Sequence, residues 1–186
     1  MLTREKIIVL TRDLVQERGA NDFSYQDLAD QLKIKKASIH YHFPHKNDLL
    51  LAVTKHYSNE LKEFLSNLDQ NYSVKTRKKL TKYLDMYLEL SKSGDKLCLC
   101  GILASEIQGF PANLVREINI FFQIHETWLK KLFHEAQENG EFKFTGSASG
   151  LAAIFFSTIQ GALIISRTKK DPRYLKSVIK ELLNWI

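Results

Sequence analysis

Three prolines and eight glycines in 186 residues leave little material for strand turns or flexible linkers. An all-β domain, which asks for turn residues about every 8–12 positions, is therefore not expected. Cysteine is scarcer still. Cys98 and Cys100 stand two apart; in a cytoplasmic protein they need not form a disulfide, and neighbouring metal ligands of suitable spacing are missing. The N-terminus has no long apolar core followed by a small-residue cleavage site, so no secretory signal is expected. The longest apolar run, LAAIFFSTIQGALII over 151–165, carries Ser157, Thr158 and Gln160. It is short against the roughly 20 residues of a membrane span, which favours a buried helix or subunit interface and no membrane partner. Catalytic patterns are missing too. No glycine-rich phosphate loop, nucleophile elbow or paired-carboxylate motif appears, so no enzyme activity and no cofactor is expected.

What is present fits a soluble folded chain, 44% hydrophobic and 26% charged. The length suffices for one core, or for a small module joined to a larger one. The net charge of +6 permits a nucleic-acid partner, and its placement says more. Residues 31–46 hold Lys33, Lys35, Lys36 and Lys46 without a single acid.

Periodicity predicts an all-α chain of about nine helices. The first runs from about Thr3 to Arg18, with Ile7, Leu10, Leu14 and Val15 as its stripe and Gly19 to end it. In FSYQDLADQL, Ser24 is placed to cap a second helix over 25–31, Asp27 stands three residues later where Glu would complete a capping box, and Phe23 can staple against Leu28. After a break at Lys33 and Ile34, a third helix starts at Lys35 or Lys36, is anchored by Ile34, Ile39 and Phe43, and ends at His42 before Pro44. Two short helices about a tight turn, braced by an earlier one, make a helix-turn-helix. Further helices follow over about 47–68, within 73–93, in a shorter segment over 99–108, from Pro111 to Asn139, over 147–167 and from Pro172 onward; EFKF, 141–144, is the one strand-like scrap. The division expected is a DNA-binding head, 1–46, and a helical effector-binding and dimerisation body, 47–186.

A reader of duplex DNA needs cations and donors for the phosphates, and small or polar residues where it approaches the base edges. The third helix offers Lys35 and Lys36 at its start, then Ala37, Ser38, His40, Tyr41 and His42. Lys46 follows near the next helix start, where free amides already favour a phosphate. His40, Tyr41 and His42 cannot all point one way, and His40, His42 and His45 assemble no zinc set. No metal is expected.

A small head makes one groove contact, so a twofold dimer reading a palindrome is expected. The candidate interface is the last two helices: Leu151, Ile154, Phe155, Thr158, Ala162 and Ile165 on one, Leu175, Val178, Ile179 and Leu182 on the other. Closure of the chain's own core is the other use for these positions. The body is rich in rings. Phe64, Tyr83, Met86, Tyr87, Gln108, Phe110, Phe122, Gln123 and Glu126 are candidates to line a pocket for a small apolar or aromatic effector, which would act by differential binding.

From Phe23 to Val53, FSYQDLADQLKIKKASIHYHFPHKNDLLLAV resembles the head of TetR-family transcriptional regulators, and the nine-helix layout extends the likeness over nearly the whole chain. The resemblance implies a cytoplasmic, dimeric, usually repressing and ligand-responsive regulator. It puts Lys36, Ala37, Ser38, His40 and Tyr41 at recognition-helix positions and His42 and Lys46 where backbone contact is usual. Where members commonly carry glycine-valine-serine, this chain has Lys33, Ile34 and Lys35, so Lys33 must take up the turn and Lys35 replaces a capping hydroxyl. DKLCLCGILASEIQG, 95–109, is similar to a subgroup's lysine-glycine-cysteine-leucine region, with Leu97 in place of glycine. Some of those regulators sense electrophiles or oxidants, which would make Cys98, with Cys100 beside it, a redox sensor. A helical protein-interaction module with only non-specific DNA affinity is a further reading.

Overall fold

A computed structural model describes residues 3–70, 74–92 and 96–186. Ser73 and Ser93, at the ends of the fifth helical stretch, and Asp95, which opens the cysteine stretch, lie outside the described residues. Among the described residues there are nine helices and no strand: α1 (Thr3–Arg18), α2 (Tyr25–Leu32), α3 (Lys36–His42), α4 (Lys46–Asp69), α5 (Thr76–Lys92), α6 (Leu99–Ser105), α7 (Ala112–Glu138), α8 (Ala148–Lys169) and α9 (Pro172–Asn184). The chain is thus all-α, as its periodicity predicts. EFKF is not a strand. It is irregular, and Phe142 and Phe144 set their rings around Phe133 of α7, each with centroids 6.2 Å away.

The chain forms two compact units, Met1–Glu60 with Cys98–Phe121 and Leu61–Leu97 with Phe122–Ile186. These cuts fall elsewhere than residue 46. Helix α4 carries Leu49, Leu50 and Val53 into the same core as Ile7, Leu14, Val15, Leu28, Ile39 and Phe43, so its first half belongs with α1–α3. Each such side chain is stabilised by roughly 1.5–3 kcal/mol on burial. Ile34 is only half-buried, a weaker anchor than its spacing suggested.

Helix α6 joins this first unit against α1. It stops at Ser105, three residues earlier than Gln108, and its C-cap Glu106 turns its carboxylate to the α1–α2 loop. There it accepts the Ala20 backbone N–H at 2.8 Å and the Asn21 amide at 3.3 Å. Gly19 makes this approach possible. Its φ is 95°, and a Cβ on it would overlap the Glu106 carboxylate.

In the second unit α8 packs on α9, and both meet α5. Ser147 caps α8 by accepting the Gly150 N–H at 3.0 Å, and Asp171 caps α9 with Pro172 in its first turn. Across α4 and α7, the Trp128 indole donates to Asp69 at 3.1 Å. Helix α8 is 22 residues long, and by length and composition it could cross a membrane. The fifteen-residue count in the sequence reading therefore did not decide the matter. Leu151, Ala152, Phe155, Phe156, Ile159 and Leu163 are buried in the unit's own core, where α8 serves as a core helix.

Candidate nucleic-acid interface

The turn before α3 is built by a lysine where glycine is the usual choice. Lys33 sits at φ 55°, ψ 43°, and the backbone N–H of Ile34 closes the end of α2 by donating to the Ala29 carbonyl at 3.0 Å. At the other end of α2 the capping box is complete. The Ser24 hydroxyl accepts the Asp27 N–H, and the Asp27 carboxylate accepts the Ser24 N–H at 2.7 Å. Both Phe23 and Leu28 are buried, as a staple requires. Helix α2 is therefore stopped and started by local chemistry, which fixes where α3 begins.

Helix α3 has one greasy side. Ile39 and its C-terminal cap Phe43 are buried, and the Tyr25 hydroxyl donates to the Phe43 carbonyl at 2.8 Å, clamping the helix end to α2. Burial, and after it the Asp48 charge, pushes the Tyr25 phenol up to about 12, so it stays a neutral donor. On the outer side Lys35, Lys36, Ala37, His40 and Tyr41 are exposed, while Ser38 and His42 are half-buried. Tyr41 is 84% exposed despite its large ring. The His40 ring stands edge-on to Tyr25 at 4.8 Å, and His42 edge-on to Tyr41 at 5.2 Å. The result is a narrow outward strip of two ammonium groups, a small residue, a phenol and an imidazole, carried on a rigid support.

Lys46 is tied down within the head and does not project freely from the start of α4. Its ammonium donates to the Phe23 carbonyl at 2.7 Å and lies 4.1 Å from the centre of the Phe23 ring. Partial burial lowers its pKa, against the opposing pull of Glu106, Asp22 and Asp27. The side chain ties the start of α4 to the loop before α2. Arg4 went unnoticed in the sequence because 39 positions separate it from Phe43, yet its guanidinium lies 5.1 Å from the Phe43 ring centre. That brings another exposed cation to the C-terminal end of α3.

The candidate interface residues separate into two groups. Leu151, Phe155, Ala162, Leu175, Ile179 and Leu182 are buried mainly within their own unit, as the core-closing use requires. Helical period alone cannot distinguish a side packed within the chain from one left outside. Ile154 and Ile165 are exposed and Thr158 and Val178 half-buried. Ile164 and Trp185, which were not singled out, join them at 52% and 59% exposure. Thr158, Val178, Leu182 and Trp185 line a shallow apolar groove on this outer side.

The candidate pocket residues separate likewise. Gln108 and Phe110 belong to the first unit, Gln108 exposed. Gln123 and Glu126 are exposed on α7 and do not supply polar groups to an enclosed lining. In the second unit Phe64, Met86 and Phe122 are half-buried, and Tyr83 and Tyr87 are buried. The two phenols converge on Nδ1 of buried His125, at 2.9 and 3.4 Å. Phe156 stacks on the imidazole at 4.7 Å and Trp128 on Tyr83 at 5.1 Å. Burial lowers the His125 pKa to about 3, so the ring is neutral.

Cys98 and Cys100 are both buried as free thiols. Burial, with a further contribution from Cys98, raises the Cys100 pKa well above the ordinary thiol value. A thiol held protonated and away from solvent is the opposite of a reactive sensor site.

Residues 7–53 match the family model described as bacterial regulatory proteins, tetR family. The crystal structure of a TetR transcriptional regulator from Legionella pneumophila is 32% identical in sequence, with a TM-score of 0.89 over 100% of this chain and 98% of that one. The transcriptional regulator AcuR of Cereibacter sphaeroides is 23% identical over 95% of this chain and 81% of its own length. IcaR of Staphylococcus aureus, a negative transcriptional regulator of the biofilm operon icaADBC, is 28% identical over 64% of this chain and 69% of its own.

Proposed function

The chain belongs to the TetR family of transcriptional regulators, and from that premise we propose that it is a dimeric repressor released from a palindromic operator by a small ligand. The observation that carries the DNA half of this reading is the two-sided α3. Ile39 and Phe43 fix it from behind, while Lys35, Lys36, Ala37, His40 and Tyr41 face outward. The helix is amphipathic for a groove rather than for a second core. Lys36, Ala37, Ser38, His40 and Tyr41 meet base edges and nearby phosphates, and Lys35, His42 and Arg4 the flanking backbone. Lys46 acts by holding the α4 amide end in place, where free N–H groups face a phosphate.

Dimerisation through the outer side of α8 and α9 is supported by exposed Ile154, Ile164, Ile165 and Trp185, four of the six large hydrophobic residues exposed among the described residues. Such a patch on a soluble chain marks an association surface, and twofold pairing makes it self-complementary. Repression is proposed by analogy with IcaR, a negative transcriptional regulator. Release is ascribed to an apolar or aromatic effector held among Phe64, Tyr83, Met86, Tyr87 and Phe122, where rings surround a few polar atoms. A regulator of this kind works beside the chromosome, in the cytoplasm.

The test is fluorescence anisotropy of the purified chain against palindromes from the DNA flanking its gene, across a salt series. One palindrome should bind well above random duplex. Lys36→Ala or Tyr41→Ala should cost that site about 1–3 kcal/mol, while Arg4→Ala should weaken all duplexes alike and flatten the salt slope by about one. Equal affinity for every duplex would leave the interaction-module reading in its place.

A further inference from the structure

Helices α5 and α9 pack side by side and leave an open trough of ≈ 610 Å³ between them, lined from Arg77 to Leu88 on one helix and from Arg173 to Asn184 on the other. Each lining stretch advances about 16 Å at 1.5 Å per residue, three helical turns. The trough has a greasy floor and a basic rim. Leu84, Leu88, Ile179 and Leu183 form the floor; Arg77, Arg173, Lys176 and Lys180 stand around it with Asp85 the one acid.

Two of the four cations have other commitments. Arg173 grips Asp171 with two nitrogens, at 2.8 and 3.0 Å, and Arg77 donates to the Ile186 carbonyl at 3.0 Å. Exposed Lys176 and Lys180, one turn apart on α9, therefore carry most of the charge presented to an incoming group. The opposite side of α9 has its own role. Val178, Glu181 and Trp185 line the groove beside Thr158 of α8, about 200° around the helix from Lys176. Occupation of the trough leaves that face uncovered.

The shape selects the class of occupant. Sites for small molecules enclose about 70–90% of the ligand surface, whereas this trough is open along its length. Two parallel helix faces with an apolar floor and charged edges are what an amphipathic helix needs to lie down in. We propose that the α5–α9 trough is a docking groove for an acidic amphipathic helix of about three turns, carried by a protein partner. Its apolar residues at i, i+4 and i+7 cover Leu84, Leu88, Ile179 and Leu183, and its flanking carboxylates meet Lys176 and Lys180, which set orientation and exclude basic helices. The regulator then has a protein-facing surface distinct from its DNA-facing strip.

A fluorescein-labelled helical peptide with leucines at i, i+4 and i+7 flanked by glutamates, and its counterpart flanked by lysines, are titrated with the full chain. The glutamate peptide should bind and the lysine peptide should not. The double variant Lys176→Glu, Lys180→Glu should weaken the glutamate peptide at least about tenfold, and added salt should weaken it further. Both lysines are exposed, so the variant should keep its helical circular dichroism and its DNA affinity. Equal binding of both peptides, or no effect of the double change, would overturn the proposal. So would binding of dodecanoate that depends on the two lysines while the glutamate peptide stays unbound, which would assign the trough to small amphipathic anions instead.

Discussion

Lys33 holds a left-handed conformation, φ 55°, that costs a side-chain-bearing residue roughly 1–2 kcal/mol. Glycine there would relieve the strain but add freedom to the unfolded chain, so Lys33→Gly should stabilise by about 0.5–1 kcal/mol, read as a higher urea midpoint. His125 makes a pH prediction. Its pKa is about 3 when folded against an ordinary 6.5. Between those values only the unfolded chain takes up the proton, so the contribution is intact above about pH 6.5 and is lost as pH falls toward 3. The slope is about 1.4 kcal/mol per pH unit from this one group. Urea midpoints of the wild type should therefore fall more steeply from pH 6.5 to 4.5 than those of His125→Gln. Equal slopes would show that the imidazole is not held neutral. The sequence offered His125 only as an ordinary partly buried histidine. Its neutrality comes from Tyr83, Tyr87 and Phe156, residues as far as 42 positions away.

At the scale of elements, the caps were the most legible feature, because a cap is a relation between residues three or four apart. Ser24 with Asp27, Gly19 after α1 and Pro172 in the first turn of α9 all stand where the local pattern puts them. Ser24→Ala should cost about 1 kcal/mol and loosen the start of α2. Hydrogen exchange at the first amides of α2 should accelerate, with those of α8 unchanged. The contact of the α6 C-cap was not legible, since Glu106 meets Ala20 and Asn21 from 85 or more residues away. Helix α3 falls between these cases. Its limits and its Ile39 and Phe43 anchors were readable from spacing, whereas the diversion of Lys46 to the Phe23 carbonyl was not.

For the whole molecule, the outer side of α8 and α9 is the dimer surface proposed above. Ile154→Glu with Ile165→Glu puts two carboxylates on that side while leaving Phe155, Ile159 and Leu163 in the core. Sedimentation should then report a monomer with normal helicity, and palindrome affinity should drop toward that of a half-site. A dimer that survives both changes would move the interface elsewhere.

Sequence by itself determined that this chain is helical, where most helices start and stop, and that a basic helix-turn-helix lies near its beginning. Those properties rest on propensity, capping and periodicity, which act within a few residues. Tertiary structure decided which apolar stripe is used up: Leu151 and Phe155 face the chain's own core, and Ile154 and Ile165 face out. It also decided which charges are tied down, Lys46 to a carbonyl and Arg173 to Asp171, and which stay open on Lys36, Lys176 and Lys180. The reason is that burial and pairing are relations among distant residues, and a periodic pattern specifies a face without specifying what covers it.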